Sequence, residues 1–117
     1  MSNGSEMNIG SAASLGLRID SLEDIQGLLG AVYSLDGLIL HETDLGPEFF
    51  RLGSGVAGEL FQKFANYRFP VAVVIADFSA HGKRFAELAY EHSRHGGVRF
   101  VHTDEEAGRW LESNGVQ

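Results

Sequence analysis

The apolar positions of this chain switch repeatedly between two periods. Leu22, Ile25, Leu28, Leu29 and Val32 recur at spacings of three and four, the stripe of one helix face. Val56, Ala57, Leu60, Phe61 and Phe64 form a second stripe of the same kind, with Glu59 and Lys63 four apart on its polar side. Pro70 then breaks the pattern, and Val71 to Ala76 is an unbroken apolar run rich in β-branched residues. Such a run suits a central strand buried on both faces, as in a parallel sheet.

The remaining elements fall into place around these. Met7 to Ala13 reads as a first strand, with Leu15 to Ile19 as its competitor, because Gly10 weakens the earlier segment. Asp20 or Ser21 caps the first long helix, Asp20 and Glu23 having the capping spacing. Asp36-Gly37 makes a turn, and Leu38 to Leu40 open a second strand that ends in His41-Glu42-Thr43-Asp44. Gly46-Pro47 turns the chain, and Phe49-Phe50 pack an irregular segment onto the core. Ser54 stands just before the second stripe, where a hydroxyl caps free amides. Asp77 to Gly82 is a loop. Lys83 to about His95 is a helix with Phe85, Leu88, Ala89 and His92 on one side, stopped by Gly96-Gly97. Val98 to His102 is a strand, and Thr103 with Glu106 is a capping box for a last helix that turns Ala107, Trp110 and Leu111 inward and ends at Gly115. Strand and helix alternate throughout. The fold class expected is therefore α/β, with four or five mostly parallel strands, right-handed connections and packed helices.

Composition narrows the functional classes. The chain has 117 residues, and one domain over residues 7–117 with a polar tail at residues 1–6 is the natural division. A net charge of −7 disfavours nucleic acid and anionic membrane as partners and tolerates a cationic one. The absence of cysteine removes disulfides, thiolate metal sites and cysteine nucleophiles. No leader-like apolar segment opens the chain, and no run approaches the roughly 20 apolar residues of a membrane span. A cytoplasmic protein is the expectation. Gly53, Gly55 and Gly58 do not follow a strand in the dinucleotide-binding arrangement, and no phosphate-loop lysine stands near, so no cofactor is expected.

Two resemblances bear on function. The segments ILHETDLGPEFFRLGSGVAGELFQKFANYRFPVAVV, ADFS, FAELAYEHSRHGGVRFV and the closing EEAGRWL resemble a bacterial family of uncharacterised proteins, domain of unknown function 4180, over roughly Ser21 to Leu111. That resemblance carries no activity. A looser one is to STAS domains, the fold of anti-sigma factor antagonists, which place strand, serine-glycine loop, helix and apolar strand in this succession. Their loop reads Asp-Ser-Ser-Gly with a phosphorylatable serine. Here Ser54 and Gly55 match, while Leu52 replaces the aspartate and Gly53 the first serine. The STAS likeness implies a partner-binding regulator with Ser54 as its phosphorylation or switch position.

The candidate sites each have a plainer reading. Ser54 serves equally as a helix cap worth about 1 kcal/mol. In a parallel sheet the C-terminal strand ends share one edge, where ligands bind. That edge collects His41, Glu42 and Asp44, then Asp77 and Ser79, then His102, Thr103 and Asp104. Of these, His41, Glu42, Asp77 and His102 are the candidate ligand-binding set, able in principle to hold a divalent metal or to move protons. The plainer reading is that strand ends are polar because they meet water and cap the next helix. His92 and His95 have a metal-compatible spacing, but His92 lies on the apolar stripe, where a hydrogen-bonded core histidine is the simpler account. Trp110 reads as an anchor for the last helix. No catalytic array and no metal motif emerges. The function expected is a non-enzymatic regulatory or protein-interaction module, with a homo-oligomer left open. The alternative is a small-molecule- or metal-binding protein, an enzyme included, built on the strand-end cluster.

Overall fold

The computed structural model describes residues 8–94 and 97–115. The apolar run after Pro70 becomes strand β3 (Val71–Val74), enclosed between β2 (Gly37–His41) and β4 (Val98–Val101). Strand β1 (Ile9–Ser11) lies outside β2, so the strands stand in the order β1-β2-β3-β4. All three pairings are parallel, with Leu38 opposite Val71 and Val71 opposite Val98. The expected α/β layered fold is present, with four strands.

Side chains alternate across the sheet. Leu38, Leu40, Val71, Val73, Val98 and Phe100 enter one core, whereas Ile39, Ala72, Val74 and Val101 enter another on the opposite face. The three crossover helices, α2 (Leu22–Ala31), α4 (Val56–Asn66) and α5 (Lys83–Glu91), all bury their stripes in the first core. Sequential strand order with connections of one hand requires that arrangement. Two single turns, α1 (Ala12–Leu15) and α3 (Pro47–Phe50), fill in around them, and among the described residues α6 (Asp104–Gly115) alone covers the second face. Among the described residues no helix is long and apolar enough to cross a membrane.

Several local expectations shift. The first strand is three residues rather than Met7 to Ala13, and Met7, like the tail at residues 1–6, lies outside the described residues. The competing strand at Leu15 to Ile19 survives only as a parallel bridge from Ile19 to Leu45. There the chain passes so close to Asp20 that a Cβ on Gly46 would sit 1.6 Å from its Oδ1. Of the two caps expected for α2, Ser21 is the one the structure has; its N–H, with that of Asp20, donates to Asp24 Oδ2, so Asp24 takes the place expected of Glu23. The Phe49-Phe50 segment is helical because Pro47 presets the first turn. Helix α5 ends at Glu91 and tightens into a 3-10 turn over His92–Arg94, while His95 and Gly96 lie outside the described residues.

Candidate functional site

The C-terminal ends of β2, β3 and β4 meet at one edge, as a parallel sheet dictates, and every strand-end candidate lies there. Each one, however, bonds to a different partner. His41 closes β2; its Nε2 lies 2.5 Å from Asp104 Oδ1 at the start of α6. Its main-chain N–H donates to Asp44 Oδ2 at 2.8 Å, which satisfies a carboxylate only 8% exposed. Glu42 Oε2 lies 2.5 Å from Nε2 of His81, and the His81 ring stacks flat on Phe50 with centroids 3.7 Å apart.

Asp77 turns back on its own loop. Its Oδ1 accepts the Ser79 hydroxyl at 2.7 Å and the Ser79 N–H at 3.0 Å. The hydroxyl bond, then the amide bond, hold this carboxyl below its usual range, with smaller help from the nearby His102 and His81. His102 places Nδ1 3.1 Å from both Ile75 O and Ala76 O, so Nδ1 is the nitrogen that carries the proton. Its ring stacks on Phe78 at 4.3 Å. The His102 N–H donates to Glu106 Oε1 at 2.7 Å, and Glu106 exchanges bonds with Thr103 in the expected capping box. Those amides, His102 first, hold the Glu106 carboxyl below its usual range.

The edge is thus a set of separate polar ties. Among the described residues no three His, Asp or Glu side chains are placed to hold a metal ion. Ser79, on the same edge, spends its hydroxyl on Asp77 rather than on a histidine. His92, the other histidine weighed as a ligand, is half-buried, stacks on Phe61 at 4.2 Å and turns Nδ1 to Leu88 O.

Ser54 sits differently from the expectation of an exposed cap. Helix α4 begins at Val56, and Gly55 intervenes with φ at +85°, a conformation that glycine adopts without strain. Ser54 closes the preceding 3-10 turn, Leu52–Ser54. Its Oγ lies 2.6 Å from Glu48 O and 2.8 Å from Arg51 O, to which its single proton donates, and it accepts the Val56 N–H at 3.3 Å. The residue is half-buried. It still lies where two helix starts meet, in a shallow groove of about 330 Å³ shared with Ser21, Leu22, Glu23 and Glu48.

Sequence reasoning missed His81, which lay inside a stretch read only as a loop. The strand order would have found it: with β3 beside β2, the loop leaving β3 must run past Glu42. The pairing of His41 with Asp104 follows less readily, because it joins β2 to a helix that starts beyond β4.

A family model, domain of unknown function 4180, matches residues 5–111, nearly the whole chain. Comparison with curated proteins and with solved structures finds no match.

Proposed function

This chain belongs to the domain of unknown function 4180 family, and we propose that it works as a non-enzymatic regulatory module that binds a protein partner at the C-terminal edge of its sheet. The observation that supports this reading most is the pairwise spending of the candidate set. His41, Glu42, Asp77 and His102 are each tied to a separate neighbour, which makes a polar surface rather than a reaction centre. The same edge carries the acidic first turns of α2 and α6, with Glu23, Asp24, Asp104, Glu105 and Glu106. A cationic partner surface is the electrostatic complement. The Ser54 groove lies on this edge, in keeping with a STAS-like use of the serine-glycine turn. Phosphate added there would break the Ser54 hydroxyl bonds and place nearly two negative charges at a helix start.

The test is recovery of a defined, stoichiometric partner by the tagged full chain at native expression, compared across variants. Glu23→Lys and Ser54→Asp should weaken the complex, and Tyr33→Ser, at the opposite edge, should leave it intact. Indifference to all three variants removes the edge as the binding surface. Saturable heat on titration with zinc or manganese, lost in His41→Ala or His102→Ala, would instead establish the metal-binding alternative.

A further inference from the structure

A second surface of opposite electrostatic character lies beside α6. A groove of about 560 Å³ runs along that helix and shares no residue with the one at Ser54. Its volume falls within the range of roughly 300–1,000 Å³ usual for small-molecule sites. One wall is aromatic: Tyr90 meets Phe78 edge-on at 5.3 Å, and the His102 ring stacks on Phe78 at 4.3 Å. Tyr90 is 63% exposed, so its ring is available to a ligand. The other wall carries charge and a large ring. Arg99 of β4 holds its guanidinium carbon 5.1 Å from the centroid of the Trp110 ring. Arg109, one residue earlier on α6, also lines the groove, is exposed, and enters none of the ion pairs among the described residues.

The groove's carboxylate, Glu106, is turned to the main-chain N–H groups of His102 and Thr103 and so is already matched. Arg109 therefore brings into the groove a guanidinium that none of the ion pairs among the described residues uses, in a chain whose net charge is −7. Guanidinium groups recognise carboxylate and phosphate oxygens in pairs, and aromatic walls recognise flat rings by stacking.

We propose that this groove binds a small aromatic anion: a planar ring lying between Tyr90 and Trp110, with its carboxylate or phosphate on Arg109. The groove shares His102 and Glu106 with the edge proposed for a protein partner, but Arg109, Tyr90 and Trp110 lie outside that edge's set, so its ligand can bind whether or not that partner exists.

Trp110 is the chain's only tryptophan, so the site reports its own occupancy. The full chain is titrated with benzoate, phenyl phosphate and adenosine monophosphate while Trp110 fluorescence is followed. Inorganic phosphate supplies the charge without the ring, and benzamidine the ring with the opposite charge. At least one anionic ring should give a saturable change, with phosphate and benzamidine weaker by about tenfold or more. Arg109→Glu changes an exposed position whose charge also favours the ionised Glu106, so it should lower the thermal melt only slightly while weakening that binding about tenfold or more. Tyr90→Ala should weaken it with the charge untouched. The proposal is overturned if none of the three anionic rings gives a saturable change, if benzamidine binds as well as they do, or if Arg109→Glu binds like the parent.

Discussion

The two faces of the sheet are built on different principles. The first is sealed by three crossover helices, and Phe49, Phe64, Phe78, Phe85 and Phe100 interlock in its core with side chains essentially inaccessible. Ring pairs such as Phe85 with Phe100, at 5.6 Å edge-on, cross from helix to strand. The second face has one helix among the described residues. Ala72 and Ala107 let α6 approach the sheet closely, with Leu111 as its main buried anchor. A helix about 10 Å wide cannot cover four strands spaced about 4.8 Å apart. Ile9, Ile39, Val74 and Trp110 are accordingly only partly buried at its margins. Stability is concentrated on one face, and the groove beside α6 opens along β4, where the thin cover of the second face meets Phe78, Tyr90 and Phe100 of the first.

The sharpest way to break that contrast is to remove one anchor from each face. Phe64→Ala empties a fully buried site on α4 and should cost about 4 kcal/mol in denaturant unfolding. Leu111→Ala is also fully buried, but α6 can resettle onto Ala72 and Ala107, so about 2 kcal/mol is expected, at the low end for such changes. In native-state hydrogen exchange α6 should open at lower free energy than α4. Equal costs, with α6 protected as well as α4, would mean that the two faces form one cooperative unit.

Much of the fold was legible in the sequence. The run at Val71 to Ala76 could be read as a central strand because both of its faces are apolar, and the stripes of α2 and α4 could be read because each has one wet side. The difference between the faces was not legible. Ala72, Ala107 and Leu111 look like any other apolar positions until the crossover helices are seen to occupy the opposite side. At the site, the strand rule placed His41, Glu42, Asp77 and His102 on one edge. It could not say that each would be claimed by a separate partner, since side-chain pairing depends on neighbours such as His81 and Asp104 from other connections. Ser54 was misread by one residue because a hydroxyl before a helical stripe signals a cap, whereas a left-handed Gly55 shifted the helix start.

Smaller effects sharpen the picture of how the first face is held at its ends. Ser54→Ala removes the hydroxyl that links the turn before α4 to Glu48 and Arg51, and should cost about 1 kcal/mol. At the other end of α4, Arg68 adopts φ of +55°, a left-handed conformation unfavourable for a side chain. The Phe69 N–H reaches back to Phe64 O across it, so the geometry is fixed by the helix end. Arg68→Gly relieves that strain but adds freedom to the unfolded chain, and a net gain of about 0.5 kcal/mol is expected. A destabilised Arg68→Gly protein would show that the arginine side chain contributes more than its backbone costs.

The least change in stability comes from acid, and it separates the faces by the carboxylate each one uses. Asp77 holds the loop that leads to α5 on the first face, and Glu106 holds the start of α6 on the second. Hydrogen bonds from Ser79 depress the first carboxyl and those from His102 and Thr103 depress the second. A carboxyl depressed by folding takes up its proton more readily in the unfolded chain. Its contribution is therefore complete above the ordinary carboxylate range and declines as pH falls through that range toward the lower folded value. Both residues meet solvent, so each slope is shallow. Glu106→Gln should remove its share of the acid slope and lower the protection of α6 amides, while Asp77→Asn should remove its own share and leave α6 unchanged. The check is amide exchange of α6 read across the acid range in the parent and both variants. If Asp77→Asn loosens α6 as much as Glu106→Gln does, the strand-end edge couples the two faces, and the weak hold on α6 is a property of the whole edge rather than of its own first turn.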